Sequence, residues 1–183
     1  MSDGTAWAQG YALQAGADLN TWFVLQTVTD VAECHRLLFL QMACEKACKA
    51  HLILGGSSPE TLQTSHGYVA NPLTIVIKQQ ILRLSASLKG MRGVMEHVRH
   101  VAEEIEILNP AIDRAGKRPD NCEYPWEDSS GAVRSPLTWS FHPSRLVTAP
   151  AGRTFLKLLR ASIEQLCDFL STPETLSPLR VKS

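Results

Sequence analysis

The sequence predicts an all-α protein, an up-and-down bundle of four to five helices with a long non-helical flap before the last one. Three observations predict the helices. Ile77, Ile81, Leu84, Leu88, Met91, Met95, Val98, Ala102 and Ile105 alternate spacings of four and three over four heptads, the seam of a helix packed lengthwise against others. Residues 31–54 are apolar almost all round, as in a helix central to a bundle. Residues 151–170 carry Phe155, Leu158, Leu159, Ile163, Leu166, Phe169 and Leu170 along one stripe, a clean amphipath.

The elements follow in order. Trp7, Tyr11, Ala15, Leu19 and Trp22 recur every three or four residues, predicting a first helix over 6–23. Asp30 followed by Glu33 has capping-box spacing and marks Asp30 as N-cap of the second helix. Gly55-Gly56-Ser57-Ser58-Pro59 ends that helix. A polar linker with His66 and then Asn71-Pro72 lead into the heptad helix. Gly90 and Gly93 each cost about 1 kcal/mol against alanine there. The two glycines could divide it into two helices, but the apolar phase runs through them undisturbed, so one continuous helix, straight or bent, is expected. Asn109-Pro110 closes it.

Residues 113–150 hold five prolines with Trp126 and Trp139 and read as a flap with a small hairpin, pinned by its tryptophans. Within it Leu137, Trp139 and Phe141 alternate with Thr138 and Ser140, the period of a half-buried strand. In the last helix Arg160 and Glu164 have i,i+4 pairing distance. The tail 173–183 is expected to be loose.

The 183 residues fit a single domain over 1–183 with a core of its own. Eighteen basic and eighteen acidic residues balance, so net charge gives no general affinity for nucleic acid. No apolar run reaches the ~18 residues of a membrane helix, and no basic-then-apolar leader opens the chain. Five cysteines, an odd number, do not suggest a disulfide framework. A cytoplasmic protein with reduced thiols, away from membranes, is expected.

Opposite the heptad seam lies an outward strip. With 100° per residue and Met91 at zero, the seam centres near ~10°, Arg92 lies near ~100° and His97 near ~240°. Gly93, Glu96 and His100 lie between them. Ala86, Gly90 and Gly93 are small residues on this side, where another backbone can come close.

The chain resembles the HEPN superfamily, all-α bundles of prokaryotic defence and toxin systems and of some nucleotidyltransferase partners. The resemblance lies in Asp18-Leu19, in the run from Ala43 through Glu45, Lys46 and Lys49 to Ala50, in the Gly55–Pro59 turn and in Ser65-His66. These echo the family's AEKxLKA…G…P…TH run and cover roughly 8–108 and 151–170. Ribonuclease members carry an Arg-x4-6-His motif, whose shortest form matches Arg92 to His97. The residue after the arginine is commonly Asn, Asp or His in the family and is Gly93 here.

The resemblance implies a metal-independent endoribonuclease or RNA-binding module of a toxin–antitoxin or phage-defence type, without cofactor or metal. Arg92 would bind phosphate and His97 would act as general acid/base, with Glu96 and His100 as auxiliary groups. It also implies a homodimer, since motifs of two subunits meet across a two-fold axis, and a cognate antitoxin or nucleotidyltransferase as partner. A non-catalytic scaffold that dimerises or docks to such a partner is the alternative. A basic groove beside Arg92 would favour RNA and an apolar patch a protein partner.

Weaker constellations stand beside this one. Cys44, Cys48 and His51 share one side of the second helix and, with Cys122, match a zinc donor set, although small thiols also fill bundle cores well. His97, His100 and Glu104 at i, i+3 and i+7 offer a divalent-ion set, with a solvated polar face as the simpler account. Glu45 and Lys49 read as an i,i+4 pair, and His66 as a turn or cap residue bonding backbone. Trp126 and Trp139 have rings that stack bases or pin the flap.

Overall fold

The computed structural model describes residues 4–64, 66–85, 90–112 and 121–171. It is mostly helical. Helices α1 (Gly4–Leu25), α2 (Glu33–Leu54), α4 (Ala70–Ser85), α5 (Arg92–Glu106) and α7 (Pro150–Ser171) are long, and α3 (Pro59–Gln63) and α6 (His142–Thr148) are short. A two-stranded antiparallel hairpin, β1 (Trp126–Glu127) and β2 (Val133–Arg134), pairs Trp126 with Arg134 and Glu127 with Val133.

Small side chains set the central layer. Ala8, Ala12 and Ala15 of α1 and Ala43, Cys44, Ala47, Cys48 and Ala50 of α2 are all buried, and side chains this small let the two backbones approach closely. They run antiparallel: a Cβ placed on Gly4 would lie 3.6 Å from Ile53 Cγ2. α7 runs antiparallel to α1, with Leu166 and Leu170 packed beside Ala8 and Ala12 and Arg160 over the Phe23 ring at 4.0 Å. That contact takes Arg160 away from the expected Glu164 pairing. Phe155, Leu159 and Ile163 of α7 complete the main core with Leu37, Leu40, Ile77, Ile81, Val98 and Ile105.

The expected single helix over 77–105 is instead two. α4 ends at Ser85 and α5 starts at Arg92. Gly90 has φ +81°, a left-handed conformation that no helix continues through and that glycine adopts freely. The seam persists at the outer ends, where Ile77, Ile81, Val98, Ala102 and Ile105 are buried, but Leu84 is exposed. Leu88 and Ala86 lie outside the described residues. α4 and α5 fold back antiparallel, and Glu106 at the end of α5 accepts hydrogen bonds from Val69 N (2.9 Å) and Ala70 N (3.0 Å) at the start of α4. A buried carboxylate from one helix thus satisfies orphan amides of the other.

Two further expectations change. α2 begins at Glu33 with Ala32 as its N-cap and no side-chain cap bond, so Asp30 does not cap it. The apolar register that buries Cys34 and Leu37 sets the start, overriding the local cap signal. The 137–141 strand is replaced by a 3-10 turn, Pro136–Thr138, capped by Ser135 Oγ accepting from Leu137 N at 3.3 Å, and then by α6. Prolines 136 and 143 supply preset φ at both helix starts and no ladder donors, and Leu137 is exposed.

The hairpin and the tryptophan pin are present: Trp126 meets Trp139 edge to face with centroids 5.4 Å apart. The hairpin turn is tied by Asp128, which accepts from Ser130 and Ala132 and pairs with Arg134 at 2.6 Å. The flap stretch 113–120 and the tail 173–183 lie outside the described residues. Among the described residues no helix is long and apolar enough to cross a membrane.

Candidate functional site

The break at Gly90 makes Arg92 the first residue of α5, with Met91 as N-cap. Its side chain is 93 % exposed, and Arg92 Nε donates to Glu96 Oε1 at 2.9 Å. A Cβ on Gly93 would meet nothing within 4 Å, so the backbone here is open to approach. Gly93, Glu96, Arg99, His100 and Glu103 are all exposed. Arg92, Glu96, Arg99 and Glu103, spaced 4-3-4, form one row of alternating charge along α5.

His97 does not join this row. It is half-buried, and its Nε2 is enclosed with no hydrogen-bond partner among the described residues. Of the four predicted site residues, Arg92 and Glu96 are therefore brought together, while His97 turns inward. His100 goes to a different neighbour, with its ring 5.4 Å from that of His142. His142 Nδ1 in turn lies 3.0 Å from Glu104 Oε2. His142 has no signal linking it to His100 in the sequence, because α6 is brought over α5 only by tertiary packing.

This arrangement uses Glu104 to hold His142, and the His97, His100, Glu104 ion set is not assembled. The proposed zinc set is not assembled either. Cys122 lines a cavity of about 240 Å³ with Cys34 and His35, and Cys34 precedes Cys44 by roughly 15 Å of helix. Burial pushes the Cys44 and Cys48 thiols well up from their ordinary range, so they act as small apolar fillers. Among the described residues no three His, Cys, Asp or Glu side chains come together to hold a metal.

The interior carries a polar cluster centred on Glu45. Its Oε1 pairs with Lys49 Nζ at 2.7 Å and faces His66 Nδ1 at 3.1 Å. Its Oε2 accepts from Gln41 Nε2 at 2.8 Å and from Asn109 Nδ2 at 3.5 Å. The Glu45–Lys49 pair was legible as i,i+4 spacing, whereas His66 bonds a side chain and not backbone as expected. Asp18 holds Lys46 by an ion pair and also accepts from Gln14 Nε2 at 3.0 Å. These groups tie α1, α2, the His66 loop and the end of α5 together, and buried charges of this kind must be paired. Comparison with family models, curated proteins and solved structures finds nothing similar to this chain.

Proposed function

We propose that this chain is a HEPN-like helical module that pairs with a second copy through the outward row of α5. The observation that supports it is the charge order of that row. In an antiparallel pairing about a two-fold axis, Arg92 of one copy faces Glu103 of the other and Glu96 faces Arg99, so every charge meets its opposite. Gly93 leaves room for close approach, and Leu84 at the α4 end adds exposed apolar surface nearby. A row of mixed sign also disfavours a continuous phosphate track.

Charge swapping tests this. The wild type is expected to sediment as a dimer that weakens as salt rises. Arg92→Glu/Arg99→Glu and Glu96→Arg/Glu103→Arg should each be monomeric, and an equimolar mixture should restore a heterodimer. A wild type that stays monomeric across micromolar concentrations removes the reading.

The second reading is a metal-independent endoribonuclease, and the solvent-extended Arg92 favours it. A ribose 2′-hydroxyl would attack its own phosphate and expel the 5′-oxygen of the next nucleotide, leaving a 2′,3′-cyclic phosphate. His97 would move the proton from the 2′-hydroxyl and to the leaving oxygen, and the Arg92 fork would hold the charge that builds on the phosphate. RNA cleavage in excess EDTA that vanishes in His97→Ala would support it. With His97 Nε2 enclosed, no cleavage is expected from the chain alone.

A further inference from the structure

Helix α6 meets α5 where His142, the first residue of α6, comes to rest beside His100. The ring centroids are 5.4 Å apart and the planes are inclined by 61°. Both residues are exposed. Among the described residues His100 makes no side-chain hydrogen bond, and His142 makes one, between Nδ1 and Glu104 Oε2 at 3.0 Å. A carboxylate oxygen accepts, so in the neutral imidazole Nδ1 carries the proton and Nε2 keeps its lone pair. That nitrogen has no partner of its own among the described residues.

The spacing of the rings matches a shared metal ion. A zinc-class ion bonds an imidazole nitrogen at ~2.0–2.1 Å, and the ring centre lies ~1.2 Å further on, so each centroid stands ~3.2 Å from the metal. Two imidazoles at the tetrahedral angle then have centroids ~5.2 Å apart, against ~4.5 Å at a right angle. The observed 5.4 Å is close to the tetrahedral value, and the exposed His100 ring is free to turn a nitrogen inward. Glu104 adds the usual support of a metal-bound histidine, a carboxylate that fixes the tautomer and aims the opposite nitrogen. Its side chain is only 13 % exposed, so packing holds it in place. Glu103 and Glu104, three and four residues after His100, also bring negative charge to the His100 face of α5, which favours a cation there.

We propose that His100 and His142 Nε2 are the two protein ligands of a borderline divalent metal ion of the Zn²⁺ class, which clips α6 to α5. Imidazole nitrogen suits Zn²⁺, Ni²⁺ or Cu²⁺, whereas Mg²⁺ and Ca²⁺ take oxygen. Two protein ligands leave the remaining tetrahedral positions to water, which makes the ion exchangeable. The site does not rest on the pairing proposed for α5, because His100 lies ~70° round the helix from the middle of the charged row.

The test is an NMR titration of the full chain, without an affinity tag, with ZnCl₂, following the imidazole Cε1–H resonances. Those of His100 and His142 are expected to shift together and saturate at one ion per chain, with His35 unmoved. The same additions of MgCl₂ should move none of them. His142→Ala should weaken binding at His100 at least about tenfold, and Glu104→Gln should weaken it about tenfold, the share of affinity that an orienting carboxylate carries. His97→Gln should bind as wild type, which separates this pair from one built along α5 alone. The unchanged spectrum elsewhere reports that each variant is folded. The site is overturned if Zn²⁺ leaves both resonances unmoved, or if His142→Ala binds at His100 as tightly as wild type. Equal shifts with MgCl₂ overturn the metal class, and a Glu104→Gln variant that binds as wild type overturns the orienting role of Glu104.

Discussion

At the residue scale, single positions show how local chemistry is subordinated to packing. His51 near the end of α2 is half-buried, and its Nε2 has no partner among the described residues. Burial, and secondly the charge of Arg83, hold its pKa below the ordinary histidine value. Its folded pKa being the lower one, the unfolded chain binds the extra proton first. Its contribution is therefore intact above the unfolded pKa of about 6.5 and is lost as pH falls below it. Urea midpoints measured from pH 7.5 to 5 should fall for wild type and fall less steeply for His51→Gln. Gly152 is a second such position. A Cβ there would lie 2.1 Å from Leu146 O and 2.6 Å from the Val147 backbone, where no side chain can yield. Gly152→Ala should cost about 3 kcal/mol and lower Tm by roughly 6–12 °C, read by thermal denaturation.

At the element scale, the amphipathic pattern carried most of the architecture. Helices α1, α2 and α7 lie within two or three residues of their expected bounds because burial period and backbone period agree there. The Gly55–Gly56 stop was legible because Gly56 takes φ +96°. Gly90 does the same at φ +81°, yet the unbroken apolar phase outweighed it. Periodicity reports which side faces the core and not whether the backbone is continuous, so two helices in phase imitate one. The α6 segment was missed for the opposite reason: its prolines signal irregular chain as strongly as they signal helix starts. Gly90→Ala should raise no packing conflict, since a Cβ there meets nothing within 4 Å. It should still destabilise by about 1 kcal/mol through its positive φ alone, as a small loss of urea midpoint at unchanged m.

At the scale of the whole molecule, the candidate site was less legible than the fold. Arg92 and Glu96 could be placed together from spacing, because i,i+4 neighbours on one helix need no tertiary knowledge. The inward turn of His97 and the His100–His142–Glu104 contact depend on how α5 docks and how α6 lies over it, which no local pattern encodes. The bonds from Val69 N and Ala70 N to Glu106, 37 and 36 residues apart in the chain, have one more consequence. Those two amides are shielded only while α5 is docked. Their hydrogen-exchange rates therefore act as a clock for the opening of the α4–α5 unit. In Glu106→Gln they should exchange faster than amides in the α1–α2 layer, and the size of that gap measures whether the molecule opens in parts or as one.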